Sequence, residues 1–269
     1  DTHETPNSLT WGPDGWLYGN HGVFNKSLVG KPGTPASERL RLYACVWRYH
    51  PVRHEFEVFA RGGSNQWGID FNDNGHMFIT HCRSYWGRGP TTYVVRGGHY
   101  WNQVNGNHAP FVSRGSGGRR AQTGLQNFLL ASAQYGHGSG GAGKPGTRAI
   151  YGGHSHVGTM IYLGDNWPAQ FRDQLFTHNL HGRQMNRQLN LRSGSGYDTI
   201  HAGTDQFYVA DTNFVGVDLD YGPDGAVYMI DWVDERNCHS PHAERWNRSN
   251  GRIFRMAWSA TFKPTKVNL

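Results

Sequence analysis

The sequence has only three cysteines, Cys45, Cys82 and Cys238, and no Cys-x-x-Cys pair. That excludes a disulfide framework and a cysteine-built metal cluster; at most one disulfide and one free thiol remain. Long apolar runs are missing as well. The longest, around Met160-Ile161-Tyr162-Leu163, is far too short to cross a bilayer, so no membrane span is expected. Charge is sparse, at 17% of 269 residues, and no run of four basic residues occurs despite a formal charge of +6 and a pI near 9.3. Arginine dispersed among Gly, Asn and Trp suits structural roles or small anions, which argues against a nucleic-acid partner. A Gly-x-Ser-x-Gly elbow, a phosphate-binding loop and a dinucleotide fingerprint are all absent, and serine hydrolysis and nucleotide chemistry go with them. The first residues, Asp1 to Glu4, carry no methionine, basic segment or apolar stretch, so a removed signal or a cut from a longer chain is expected.

What is present is glycine, proline, aromatics and histidine. The 37 Gly and 12 Pro disfavour helices, while ten Trp, thirteen Tyr and thirteen Phe can cover a sizeable core. A repeat organises them. Leu9-Thr10-Trp11-Gly12-Pro13-Asp14-Gly15-Trp16-Leu17-Tyr18 recurs as Ile69-Asp70-Phe71-Asn72-Asp73-Asn74-Gly75-His76-Met77-Phe78 and as Leu219-Asp220-Tyr221-Gly222-Pro223-Asp224-Gly225-Ala226-Val227-Tyr228. Each copy reads as strand, tight turn, strand, because Pro-Asp-Gly and Asn-Gly supply a preset φ and a position tolerant of φ > 0. A diverged fourth copy runs from Thr159 through Trp167-Pro168 to Thr177. Two further strand-like runs follow a hairpin, clearest in Tyr43–Tyr49 and Glu55–Phe59. Four strands per repeated unit predict an all-β fold, a β-propeller with four-stranded blades near 7–62, 66–100, 158–210 and 215–258. A Gly- and His-rich insertion occupies 97–153.

In such a fold the loop leading into a blade's first strand and the loop joining its second and third strands open on one face. That geometry sends nine of the sixteen histidines to one rim: His3, His154 and His156 from the first kind of loop, and His21, His81, His178, His181, His239 and His242 from the second. Asn65, Gln66 and Asp218 fall in the first group, and Arg83, Arg183, Asp231 and Asp234 in the second. A ring of imidazoles with a few carboxylates and arginines suits proton abstraction, metal ligation or a polyanionic cofactor. The metal candidates are His81, His154, His156, His178 and His181. The pair Asp231 and Asp234 suggests either glycoside hydrolysis or a loop-capping or calcium-binding role.

Several segments together resemble one family. They are Asp1-Thr2-His3-Glu4-Thr5-Pro6-Asn7-Ser8, Trp11 to Phe24, Gly153-His154-Ser155-His156-Val157-Gly158, Leu163-Gly164-Asp165-Asn166-Trp167-Pro168, and Leu175-Phe176-Thr177-His178-Asn179-Leu180-His181-Gly182-Arg183. The family is the membrane-bound dehydrogenase domain of planctomycetes and verrucomicrobia, often joined to a c-type haem domain. It is similar in turn to the soluble glucose and aldose-sugar dehydrogenases, six-bladed propellers that use pyrroloquinoline quinone and calcium. The resemblance implies a periplasmic or secreted oxidoreductase acting on a carbohydrate or alcohol and handing electrons to a c-type cytochrome. It implies His3 as the base, with Asp218 or Asp231 orienting it, and Asn65, Gln66, Trp67, Arg83 and Arg183 around the quinone. No Cys-x-x-Cys-His haem site occurs in the chain itself.

Two other readings stand beside this one. A non-catalytic carbohydrate- or partner-binding propeller would use Trp16, Trp67, Trp86, Trp101 and Trp232 as stacking platforms. A metal-dependent hydrolase or lyase acting on polysaccharide would use the rim histidines.

Overall fold

The computed structural model describes residues 5–23, 25–63, 65–81, 91–102, 156–180, 183–202, 206–233, 249–260 and 262. Strands β1 (Asn7–Trp11) and β2 (Leu17–His21) form the first hairpin; the small hairpin β3 (Ser27–Val29) and β4 (Leu40–Leu42) follows, and β5 (Cys45–His50) and β6 (Glu55–Gly63) complete the first sheet. The second sheet is β7 (Gln66–Phe71), β8 (Met77–His81) and β9 (Thr91–Val94). The next strand, β10 (His99–Asn102), does not extend that sheet; it runs parallel to β6 on the outer edge of the first. Strands β11 (His156–Ile161), β12 (Gln174–Asn179), β13 (Gln184–Ser193) and β14 (Gly196–His201) form the third sheet, with the two-residue β15 (Phe207–Tyr208) against β13. The fourth contains β16 (Gly216–Tyr221), β17 (Val227–Asp231) and β18 (Arg252–Met256). Apart from the parallel β10, all four are antiparallel meanders from the inside outward, the architecture of propeller blades.

The turn chemistry read from the sequence is what closes the hairpins. Gly15, Gly75 and Gly225 adopt φ of 79°, 72° and 70°, which a side chain would strain. Their N–H groups donate to the carbonyls of Gly12, Asn72 and Gly222 at 3.1, 2.8 and 2.9 Å. Two of the hairpins share a further latch. The Tyr18 hydroxyl donates to Asp14 at 2.8 Å and the Tyr228 hydroxyl to Asp224 at 3.1 Å, four residues along in each case. Arg48 on β5 and Arg255 on β18 then pair with those carboxylates at 3.1 and 2.8 Å.

The inner strands β1, β7, β11 and β16 stand side by side. Thr10 Oγ1 donates to the Ile69 carbonyl across the first gap (3.2 Å). Tight glycine contacts close the next two: a Cβ on Gly68 would lie 2.1 Å from Thr159 Oγ1, and one on Gly158 would lie 2.9 Å from Asp218 Cα. Each inner strand breaks register with its partner near its start, between Asn7 and Thr10, Gln66 and Ile69, Val157 and Met160, and Gly216 and Asp218. These bulges twist the leading ends of all four strands in the same way, at one end of the molecule.

The seams between sheets are aromatic and aliphatic over most of their depth. Tyr18, Val46, Ile69, Met77 and Ile79 fill the first, Phe78, Tyr93, Ile161, Leu175 and Tyr197 the second, and Met160, Tyr162, Phe176, Met185, Leu219 and Met229 the third. Burying each such side chain contributes roughly 1.5–3 kcal/mol. The two flanking sheets leave apolar groups uncovered, Leu9 and Trp11 on β1 and Tyr228, Ile230 and Ile253 on the fourth sheet.

Candidate functional site

Toward the leading ends of the inner strands the seams turn polar. Register places His81, Asn179 and Asp231 opposite Gln66, His156 and Gly216, and His21 occupies the matching place on β2. All of these polar groups are buried. His21, His81, His156 and His178 therefore gather at one end, while His50, His54 and His76 lie at the turns of the other. They line sheets and seams, not an open rim. His21 contacts Ser27 Oγ (2.8 Å) and the Gly22 carbonyl (3.0 Å), and His81 contacts Thr92 Oγ1 (2.8 Å), so both tie strands together. Burial pushes His156, bonded to Asn186, down to about 3 and His178 down to about 4, so both rings are neutral at pH 7. Among the described residues no group of three or more His, Cys, Asp or Glu could hold a metal ion. His3, Arg83, His154 and His181 lie outside the described residues, as do Trp86 and most of the 97–153 insertion.

The two carboxylates singled out from sequence have different surroundings. Asp231, at the end of β17, accepts the N–H of Val215 at 2.8 Å and of Val233 at 3.0 Å, and pairs with Arg252, which also holds Asp211 at 2.6 Å. Its oxygens are engaged by the scaffold. Val233, a β-branched residue held at φ 55°, shows that this clamp overrides backbone preference. Asp218 sits on β16 with one oxygen accepting the Leu219 N–H (3.0 Å). Asp218 is exposed on its inner strand, yet neighbouring atoms strip away much of the hydration of its carboxyl. That desolvation raises it to about 6, opposed by the Leu219 N–H and helped by Asp220.

Asp218 has company that sequence reasoning missed. Asp70 on β7 accepts the N–H groups of Ile161 (2.5 Å) and Phe71 (2.7 Å), yet desolvation, with the charges of Asp220 and Asp218, lifts it to about 8. Asp220 is raised by desolvation as well. The signal was available: Asp70 and Asp220 hold the same place in the repeated Ile69-Asp70-Phe71 and Leu219-Asp220-Tyr221 units. Their convergence needs three adjacent inner strands.

Of the expected cofactor contacts, Gln66 is fully buried, its amide N–H groups donated to the Cys45 and Gly62 carbonyls at 3.2 Å each. Asn65 precedes it at φ 42°, half-buried. Trp67 is 37% exposed at the start of the inner strand. Arg183, at φ 55°, reaches over the Tyr208 ring, 5.7 Å from its centre. Among the stacking candidates Trp16 is buried beneath Arg48, whereas Trp67 and Trp232 are open.

Residues 1–259 match the family described as domain of unknown function DUF7133. The chain belongs to that family. No curated protein matches the DUF7133 chain. Among solved structures it is similar to a glucose dehydrogenase (16% identity, TM-score 0.55, covering 94% of this chain and 64% of that one). It is also similar to a protein from Thermus thermophilus described as an oxidoreductase (glucose dehydrogenase) (15%, 0.56, 95% and 67%). A third is the PQQ-bound form of an aldose sugar dehydrogenase from Streptomyces coelicolor (14%, 0.51, 94% and 62%). At these identities the likeness establishes the β-propeller fold, and the DUF7133 chain spans about two thirds of each neighbour's length.

Whether the described residues suit the cofactors of such proteins can be judged from the donors present. A calcium ion needs several converging oxygens, and the described part of the DUF7133 chain assembles no such carboxylate set. A planar quinone bearing carboxylates needs an aromatic wall, amide donors and a cation. Trp67, Asn65 and Arg183 are of that kind, whereas the Gln66 amide N–H groups are already engaged.

Proposed function

We propose that this DUF7133 propeller is a sugar or alcohol oxidoreductase of the glucose dehydrogenase-like type, working at the leading ends of its inner strands. The observation that carries the reading is Asp218, an exposed inner-strand carboxyl raised to about 6 with the carboxyls of Asp70 and Asp220 close by. A carboxylate near that value holds or accepts a proton at neutral pH far better than an ordinary surface aspartate. Its role is to take up the hydroxyl proton of the substrate or to orient His3 for doing so. Trp67 offers an apolar face for a sugar ring. Asn65 and Arg183 would hold a quinone of the pyrroloquinoline type, which when bound supplies the hydride-accepting chemistry. A c-type cytochrome is the proposed electron acceptor, in a periplasmic or secreted setting.

The test is dye-linked oxidation of a panel of aldoses and alcohols with added quinone. Asp218→Asn keeps the acceptor for the Leu219 N–H, so the fold should persist while turnover falls about 100-fold or more. Undiminished turnover in that variant would remove Asp218 from the reaction. The exposed indoles of Trp67 and Trp232 favour a second reading, in which the propeller only binds glycans; saturable binding with no turnover under any acceptor would select it.

A further inference from the structure

His178 is fully buried, and neither ring nitrogen has a hydrogen-bond partner of good geometry; the polar groups that act on it are the backbone of Asp218 and the charge of Asp231. A buried imidazole in that state is costly and needs a structural reason. The ring lies flat against the start of β16. A Cβ on Gly216 would come within 2.6 Å of its Nδ1, so only glycine fits there. Phe214 and Phe207 contact the ring edge-on, with centroids at 6.1 and 6.3 Å, and keep it pressed inward. One residue earlier, Val215 is fastened by both backbone groups, its N–H to Asp231 and its carbonyl to the Trp232 N–H at 2.9 Å. On the opposite side Gly158 backs directly onto Asp218.

We propose that His178 and Asp231 are positioning residues that hold the leading end of β16 so that the Asp218 carboxyl stays against the inner wall, and that neither touches the substrate. The inference rests on the reading of Asp218 given above. It also accounts for the Val233 strain, because the same Asp231 oxygen that fixes Val215 pulls Val233 into its left-handed conformation. His178 is neutral, and the groups that act on Asp218 are its desolvation, the Leu219 N–H and Asp220, with Asp70 across the wall. Replacing His178 or Asp231 therefore reaches Asp218 only by moving it.

The experiment is a carbon-13 titration of aspartate-labelled protein, the Asp218 signal being the one lost in Asp218→Asn. The wild-type midpoint should lie at about 6. In His178→Ala, which removes the ring, and independently in Asp231→Ala, which removes the acceptor of both N–H groups, the midpoint should fall by about one unit as β16 relaxes toward solvent. His76→Phe, in another seam at the opposite end, should lower stability without moving it. An unmoved Asp218 midpoint in folded His178→Ala overturns the proposal, and if that variant does not fold, the Asp231→Ala result decides it. If the titration shifts while Asp218→Asn keeps full turnover, the positioning stands and the catalytic reading fails.

Discussion

Acid should loosen this fold through its buried histidines, and His178 allows the size of the effect to be worked out. Its imidazole moves from 6.5 in the unfolded chain to about 4 in the folded one because burial disfavours the charged form. A folded-state value below the unfolded one means that the unfolded chain binds the proton more tightly. The contribution is therefore complete above pH 6.5 and is lost as the pH falls toward 4. The full shift corresponds to about 3 kcal/mol, and by pH 5 about 2 kcal/mol of it is already gone. Asp218 and Asp70 act in the opposite sense, because their raised values favour the folded state on protonation, so the wild-type curve alone mixes the two. The difference between wild type and His178→Phe separates them. Urea denaturation of both proteins at pH 7.5 and pH 5 should show wild type losing about 2 kcal/mol more than the variant. Equal losses would mean that His178 is hydrated or already charged in the folded protein, and the argument for its burial would fail.

Other perturbations probe the frame around the site. Gly68→Ala should cost about 2–4 kcal/mol in chemical denaturation, since Gly68 stands at φ 129° and the new methyl would meet Thr159 at 2.1 Å; a neutral result would contradict the side-by-side packing of β7 and β11. Arg252→Leu leaves the fully buried Asp231 carboxylate without its cation and should cost about 3–5 kcal/mol, readable as a lower urea midpoint. Tyr18→Phe removes one hydroxyl from the Asp14 and Arg48 latch and should lower stability by about 1 kcal/mol, readable as a shift in urea midpoint.

Much of the architecture was legible because it is local. The Pro-Asp-Gly and Asn-Gly turns need positive φ at one position wherever they occur, and the flanking apolar alternation assigns the strands without any knowledge of the rest of the chain. Repetition then implied blades, and the order of strands within each meander follows from short connections. The end of the molecule at which His21, His81, His156 and His178 would collect was readable for the same reason, since it depends only on which way each strand runs. Their burial was not. Whether an imidazole at a strand end faces solvent or a seam depends on what distant segments bring against it: at His178 these are Phe207 on β15 of its own sheet and Phe214 and Gly216 leading into the fourth sheet, some thirty to forty positions away. The partner of β10 was equally hidden, since a parallel pairing with β6 leaves no local mark.

The clearest division lies between the two aspartates. Sequence alone determined the hairpins, the turns and the list of polar residues at one end, because backbone geometry and side-chain periodicity are properties of a few consecutive residues. Only the tertiary structure decided that Asp231 is consumed by two backbone N–H groups and Arg252 while Asp218, with Asp70 and Asp220, remains against the inner wall. Proton affinity depends on the dielectric surroundings and the neighbouring charges in space, and those come from three strands brought together by folding.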